Sequence, residues 1–237
     1  LYTIFLIYDI NGLRQGIALG LTLLSVNYVI NRNVYKFLII LIVASLFHIS
    51  AIIFIPFYFI SRIKIKNSTI IVLLIIILGL SISLRQILKN SQIFQTLIQI
   101  DSLKHYSVYT TDDSYRLDIP IISIAVFQRL FIFFMFIINF HRINTDEKIK
   151  LLLRNGYFFS IVLFLLFSFS SEFAARLSFY YKALEIVIVP LIVYSFSKSY
   201  QRLSFLILFT AFSIFGIYRL LSLPDGYLIP YNNIIFP

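Results

Sequence analysis

The chain has 237 residues, of which 60% are hydrophobic and only 13% charged, and its mean hydropathy is +0.93. A water-soluble core does not need this much apolar surface, so the composition predicts that the bilayer solvates most of the chain. Cysteine is absent, which excludes disulfides and thiolate chemistry, and the net charge of +10 lies in short clusters typical of membrane loops rather than of nucleic-acid binding.

Seven apolar runs approach the length of about 20 residues that a helix needs to cross a membrane. A lipid-facing barrel is excluded, because its strands would show alternating polarity. The sequence therefore predicts an all-α, polytopic transmembrane helical bundle that forms a single domain over residues 1–237. In chain order the runs are Leu13–Ile30, Tyr35–Ile60, Thr69–Leu84, Ile121–Phe140, Tyr157–Ser171, Ala183–Phe196 and Leu203–Leu221.

The first residue is Leu1 and the sole methionine is Met135. We interpret the chain as the C-terminal part of a longer multi-pass protein. Residues Leu1 to Ile7 would then be the tail of an upstream helix rather than a signal peptide.

Basic clusters between the apolar runs predict the orientation, because cytoplasmic loops carry an excess of Lys and Arg. With these clusters in the cytoplasm, the long segment 85–119 becomes an external loop, and its acidic and basic residues balance. Residues Glu172–Lys182 would also lie outside. The clusters are Arg62, Lys64 and Lys66; Arg142, Lys148, Lys150 and Arg154; and Lys198 and Arg202.

The run Tyr35–Ile60 interrupts this alternation. Arg32 before it, Lys36 at its start and Arg62 after it are all typical of a cytoplasmic loop, whereas a single crossing would place one group outside. We favour a re-entrant or broken pair of half-helices with His48 near its tip. Each half would have about 12 residues, or about 18 Å of helix, which reaches just past the bilayer midplane.

Arg14, Gln15 and His48 are polar groups next to or within apolar runs. An ionisable group in hydrocarbon is costly and usually faces a cavity where it serves a substrate. Arg14 could instead be an interfacial arginine whose charged end reaches the membrane surface. His48 could be a hydrogen-bonded structural residue, or a neutral imidazole that accepts a proton from a sugar hydroxyl.

Arg176 and Tyr180 lie four residues apart, which places them on one face of a helix. A guanidinium group binds phosphate through two parallel hydrogen bonds, so Arg176 is a candidate ligand for a pyrophosphate leaving group. A structural ion pair with Glu172 is the alternative. Arg129 and Glu185 are also ionisable groups within apolar runs, and we expect them to pair across helices.

The segment from Tyr106 to Asp118 is rich in tyrosines, hydroxyls and carboxylates. Aromatic rings pack on sugar faces and carboxylates bond sugar hydroxyls, so this loop suits carbohydrate, although it could equally be a solvated connection. Three glycines at four-residue intervals, Gly12, Gly16 and Gly20, predict close helix packing. The chain shows no cofactor motif and no histidine spacing typical of a metal site, so none is expected.

Several strings together resemble the EpsG family of multi-pass proteins from bacterial exopolysaccharide and capsule clusters, which are similar to Wzy-type repeat-unit polymerases. Of the five strings listed next, the first two are the most specific to the family. The strings are Leu13-Arg-Gln-Gly-Ile-Ala18, Ala44-Ser-Leu-Phe-His48-Ile-Ser-Ala51, Lys36-Phe-Leu, Arg176-Leu-Ser-Phe-Tyr-Tyr181 and Pro230-Tyr231.

The resemblance implies a membrane glycosyltransferase-like polymerase of the bacterial inner membrane, acting in exopolysaccharide, capsule or O-antigen synthesis. Its partner would be an undecaprenyl pyrophosphate-linked oligosaccharide in membrane lipid, with other polysaccharide export proteins as further partners. By this analogy His48, Arg14 and Arg176 are the candidate catalytic residues, and no nucleotide sugar is needed. The candidate substrate-binding residues are Gln15, Asp113, Arg116, Tyr180 and Tyr181.

Two other classes remain open at the level of sequence. A transporter or flippase of lipid-linked sugars would use a similar cationic cavity, but internal repeats are expected there and none is found. A membrane O-acyltransferase would also rely on an intramembrane histidine, together with a second polar partner on a neighbouring helix.

Overall fold

A computed structural model describes residues 13–90, 123–169 and 171–221, and these ranges contain helices and their connections but no strand. The polytopic all-α prediction is therefore confirmed. The helices are α1 (Leu13–Ile30), α2 (Val34–Phe47), a 3-10 helix (Ile49–Phe54), α3 (Phe57–Ile60), α4 (Asn67–Asn90), α5 (Ile124–Ile138), α6 (Glu147–Leu166), α7 (Ser171–Lys182), α8 (Glu185–Ser195) and α9 (Ser199–Leu221).

Helices α1 and α2 form an antiparallel hairpin. The buried positions of both helices recur every three or four residues, so each helix presents one stripe to its neighbours. A three-residue turn joins them, in which Arg32 takes a positive φ of 57°. The Asn33 side chain then accepts a hydrogen bond from the backbone N–H of Lys36 at 3.1 Å and caps α2.

The segment after α2 breaks at His48, as the sequence predicts. His48 has an extended backbone (φ −152°, ψ 114°), and a 3-10 helix and the short α3 follow it. The Tyr58 hydroxyl donates to the Arg32 carbonyl at 3.1 Å, and the Tyr58 and Phe37 rings lie 5.4 Å apart. The two ends of the run Tyr35–Ile60 therefore meet, which is the geometry of a re-entrant segment.

Helix α6 lies at the centre of the bundle and contacts α3, α4, α5 and α7. It begins at Glu147, ten residues before the predicted start at Tyr157. The assignment of Arg154 to an exposed basic loop is wrong, because only 2% of its surface is exposed. Its guanidinium donates to the Asn67 side chain at 2.8 Å and to that of Asn155 at 2.9 and 3.0 Å, so the buried charge keeps hydrogen-bond partners.

Asn155 also ties α6 to the end of the re-entrant segment. Its side-chain amide donates to the carbonyls of Ile60 and Ile63, each at 2.8 Å. These two carbonyls lie where the chain leaves α3, so the amide satisfies groups that a helix end leaves free.

Residues Glu172–Lys182, predicted to be an external connection, belong to helix α7. This helix packs along α6 and continues into α8 after a bend of 54°. Tyr180 and Tyr181 on α7 are fully buried, which explains why this stretch folds as part of the bundle.

Gly20 does not pack as the predicted glycine stripe requires. Gly20 is exposed and a Cβ there would meet nothing within 4 Å, so the prediction of close packing is wrong at this position. At Gly156 on α6, by contrast, a Cβ would lie 2.6 Å from Phe57 and from Leu184. Helix α6 therefore approaches Phe57 and Leu184 closely at Gly156.

By length and composition, three of the described helices can cross a membrane: Leu13–Ile30, Asn67–Leu84 and Glu147–Leu166. The bent pair of α7 and α8 would be a fourth. The chain is thus a multi-pass membrane protein in which a re-entrant segment packs against α1 and α7.

Candidate functional site

A line of hydrogen bonds connects the tip of the re-entrant segment to α7. His48 Nδ1 and Ser50 Oγ lie 2.6 Å apart, and Ser50 Oγ lies 2.9 Å from the Tyr180 hydroxyl. The break in α2 produces this arrangement, because the extended His48 directs the chain into a 3-10 turn that brings Ser50 beside the imidazole. His48 and Ser50 are half-buried and Tyr180 is fully buried, so the line runs from a partly open surface into the bundle.

Arg176 lies one helical turn before Tyr180 on α7 and is half-buried. It is close enough to His48 for its positive charge to act on the imidazole. The structure thus brings together three predicted site residues, His48, Arg176 and Tyr180, from parts of the chain about 130 residues apart.

Arg14 and Gln15 occupy the first turn of α1. Because α1 and α2 are antiparallel and joined by a short turn, this end of α1 lies level with the end of α2 at His48. Arg14 is exposed, whereas Gln15 is 5% exposed and its Nε2 has no hydrogen-bond partner among the described residues. The hairpin therefore places both residues at the His48 end of the molecule.

Tyr181 has a different environment from Tyr180. Its hydroxyl donates to the Ile53 carbonyl at 2.8 Å, and its ring packs against Phe54 and Phe159 at centroid distances of 4.9 Å. These contacts hold the 3-10 helix against α7. The geometry makes Tyr181 a positioning residue for the segment that carries His48 and Ser50.

Asp113 and Arg116, predicted to bind sugar, lie outside the described residues, as does most of the external loop predicted over 85–119. Within the described ranges, no three histidine or acidic side chains lie together as metal ligands. The site as described consists of an imidazole, hydroxyls, two guanidinium groups and an amide.

Ser50 belongs to the site, but the sequence alone does not predict this role. It is a small hydroxyl two positions after His48 in an apolar run, and nothing in its spacing indicates that its partner is Tyr180. Only the break at His48 creates this contact, so an irregular backbone beside a histidine is the signal that could have identified it.

A second set of polar contacts involves Ser178 of α7. Arg129 of α5 is buried and donates to the Ser178 hydroxyl at 3.3 Å, with its guanidinium 3.7 Å from the Phe164 ring centre. The Tyr157 hydroxyl donates to Glu185 at 2.5 Å. The Arg129 contact joins α5 to α7, and the Tyr157–Glu185 contact joins α6 to α8, so the two contacts hold these four helices together.

The depth of the His48 site follows from the hairpin. Helix α2 has 14 residues, so His48 lies about 21 Å from the turn at Arg32. Arg62, Lys64 and Lys148 surround that turn and define the basic end of the bundle. This length of helix, about 21 Å, is more than half the thickness of a hydrocarbon core of about 30 Å.

These features define a polytopic helical membrane protein that carries a polar, cationic site at the tip of a re-entrant segment. The match to a family model then assigns the protein more narrowly. The EpsG family model matches residues 1–233, so the chain belongs to the EpsG family, a family of Wzy-like polysaccharide polymerases. Comparison with the curated proteins and with the solved structures returns no match.

Proposed function

We propose that this protein joins lipid-linked oligosaccharide repeats at the outer face of the bacterial inner membrane. The donor is a glycan on undecaprenyl pyrophosphate, and the acceptor is a sugar hydroxyl of a second lipid-linked repeat. The observation that carries the proposal is the hydrogen-bonded line His48–Ser50–Tyr180 beside Arg176, in a chain of the EpsG family.

The line of hydrogen bonds suits His48 to the role of general base. Because Nδ1 is engaged with Ser50, the imidazole presents Nε2 to a substrate. When Nδ1–H donates to Ser50, Nε2 carries the lone pair that accepts the proton of the acceptor hydroxyl. The acceptor oxygen then forms the new bond to the anomeric carbon of the donor sugar.

The bond that breaks joins that anomeric carbon to the pyrophosphate oxygen. Negative charge develops on the leaving undecaprenyl pyrophosphate, and a fixed cation in a poorly hydrated site stabilises it far better than water does. Arg176 supplies this charge beside His48, and Arg14 at the same end of the bundle supplies a second. The proton taken by His48 returns to solvent after the product leaves.

The remaining candidates bind sugar. Gln15 offers an Nε2 group that is without a partner in the described part of the chain, and Tyr180 offers a hydroxyl beside Ser50. Asp113 and Arg116 of the external loop would contact the repeat unit from the aqueous side. Since the donor already carries its leaving group, the reaction needs no nucleotide sugar and no cofactor.

Purified full-length protein in liposomes tests the proposal with undecaprenyl pyrophosphate-linked repeats and no nucleotide sugar. We expect longer glycans and released undecaprenyl pyrophosphate, with the rate reduced about 100-fold or more in His48→Ala. Movement of the lipid-linked repeat across the bilayer without lengthening would instead identify a flippase. Acylation of the glycan from an acyl donor would identify an O-acyltransferase.

A further inference from the structure

A cavity with a strongly basic lining lies at the opposite end of the bundle from His48. Its volume is about 330 Å³, within the range of small-ligand pockets. Four cationic side chains line it together with one carboxylate, Glu147, and the rest of the wall is largely apolar. The cations are Arg32, Arg62, Lys64 and Lys148. We call this cavity the basic pocket.

The cationic side chains of the basic pocket are exposed to the surroundings, and Tyr58 contacts two of the four residues that carry them. The Arg62 guanidinium lies 4.0 Å from the centre of the Tyr58 ring, which orients it. The hydroxyl of the same tyrosine donates to the Arg32 carbonyl, where the backbone adopts a positive φ that non-glycine residues rarely take. Tyr58 thus contacts the guanidinium of Arg62 and the backbone of Arg32.

The charges in the basic pocket favour an anion. Four cations and one carboxylate leave an excess of three positive charges. The carboxylate of Glu147 is 3.8 Å from Lys150 Nζ, outside the lining, which offsets its repulsion of an anion. Guanidinium groups bind phosphate oxygens through paired hydrogen bonds, and lysines bind them as point charges.

Apolar side chains close the other side of the cavity, among them Val29 of α1 and Leu152 of α6. Both belong to helices apolar enough to cross a membrane. The pocket therefore lies where cationic loops meet the apolar part of the bundle, a position at which basic pockets between helices bind lipid head groups.

We propose that the basic pocket binds a phosphate-bearing anion, remote from the His48 site. An anionic phospholipid head group and free phosphate share the chemistry that this lining recognises. Bound there, the anion would neutralise the charges gathered around the α1–α2 turn and hold the base of the re-entrant segment against α6.

Calorimetric titration of the purified full-length protein in detergent tests this site. The probes are dihexanoyl phosphatidylglycerol, dihexanoyl phosphatidylcholine and inorganic phosphate at constant ionic strength. We expect Arg62→Gln and Lys148→Gln each to weaken phosphatidylglycerol or phosphate binding about fivefold. Lys66→Gln is the control, because it removes the same charge from the same loop outside the lining.

The probes also separate the two sources of the anion. Binding of phosphatidylglycerol without competition by phosphate would identify a lipid head group, and binding of phosphate alone would identify the free ion. Lys148→Gln keeps the test decisive if Arg62→Gln fails to fold, because Lys148 does not stack on Tyr58. The proposal is overturned if neither probe binds, if phosphatidylcholine binds as well as phosphatidylglycerol, or if Lys66→Gln weakens binding as much as the pocket variants do.

Discussion

Two adjacent tyrosines show how differently neighbouring residues can serve one site. Tyr180 directs its hydroxyl to Ser50 in the candidate site, whereas Tyr181 directs its hydroxyl to a backbone carbonyl of the 3-10 helix. The sequence places both beside Arg176, but it contains nothing that separates their roles. His48 is recognisable from sequence because an ionisable group in an apolar run is costly, and Arg176 because a guanidinium group suits a phosphate. A half-buried hydroxyl such as Ser50 carries no such signal.

Replacing each of these two tyrosines by phenylalanine tests whether their roles differ. Tyr180→Phe should lower the rate of chain extension about fivefold to tenfold, because one hydrogen bond of the line to His48 is lost, and should lower the free energy of unfolding by about 1 kcal/mol or less. Tyr181→Phe should lower the free energy of unfolding by about 1 kcal/mol, because the Ile53 carbonyl loses its donor. Rates in liposomes and thermal unfolding in detergent measure both effects. Equal effects of the two variants on both quantities would refute the separation of roles.

Arg176 is proposed to hold the pyrophosphate through paired hydrogen bonds. Arg176→Lys keeps the charge but loses the planar arrangement of donors, so the rate of chain extension should fall roughly 10- to 100-fold. The exposed Arg202, which donates to the Phe196 carbonyl, provides the control substitution Arg202→Lys, expected to change the rate less than about twofold. An Arg176→Lys variant as active as wild type would show that charge alone suffices or that the residue does not touch the substrate.

For the helices, the sequence predicts where each one lies along the chain better than it predicts bends in the helices and contacts between them. Helix α1 has the bounds that hydropathy predicts, and the break in the second run falls at His48. Helix α6 begins earlier than predicted because Asn67 and Asn155 satisfy Arg154. Helix α7, which the Arg176–Tyr180 spacing predicts, packs along α6 rather than forming a separate external connection. Both differences depend on contacts between distant residues, which periodicity within one segment cannot reveal.

The close approach of α6 to its neighbours is tested at a glycine. Gly156→Ala places a Cβ 2.6 Å from the buried Phe57 ring and from Leu184, so we expect a loss of about 1–3 kcal/mol in the free energy of unfolding. Gly20→Ala is the matched control, because its Cβ would meet nothing within 4 Å and alanine favours a helix. Thermal unfolding in detergent compares them. A Gly156→Ala variant as stable as Gly20→Ala would show that α6 can move away without cost.

For the whole molecule, the composition alone predicts a helical membrane protein. The positively charged loops predict which helix ends lie on the same side of the membrane. The basic clusters around Arg62 and Lys148 meet at the basic pocket, as expected for loops on one side of a membrane. The site was predicted in part: His48, Arg176 and Tyr180 come together, and Arg14 and Gln15 lie at the same end. Asp113 and Arg116 lie outside the described residues, and their role in binding sugar stays a prediction.

The proposed function requires a site that opens to the outer face while the basic pocket faces the cytoplasm. Single cysteines in this cysteine-free chain test that claim, with Ser50→Cys in the site and Lys64→Cys in the basic pocket. In right-side-out vesicles, a membrane-impermeant thiol reagent should label only Ser50→Cys, and undecaprenyl pyrophosphate-linked repeats should slow that labelling. Lys64→Cys should react only after permeabilisation. Labelling of both positions from one side, or of Ser50→Cys from the inside alone, would contradict the account.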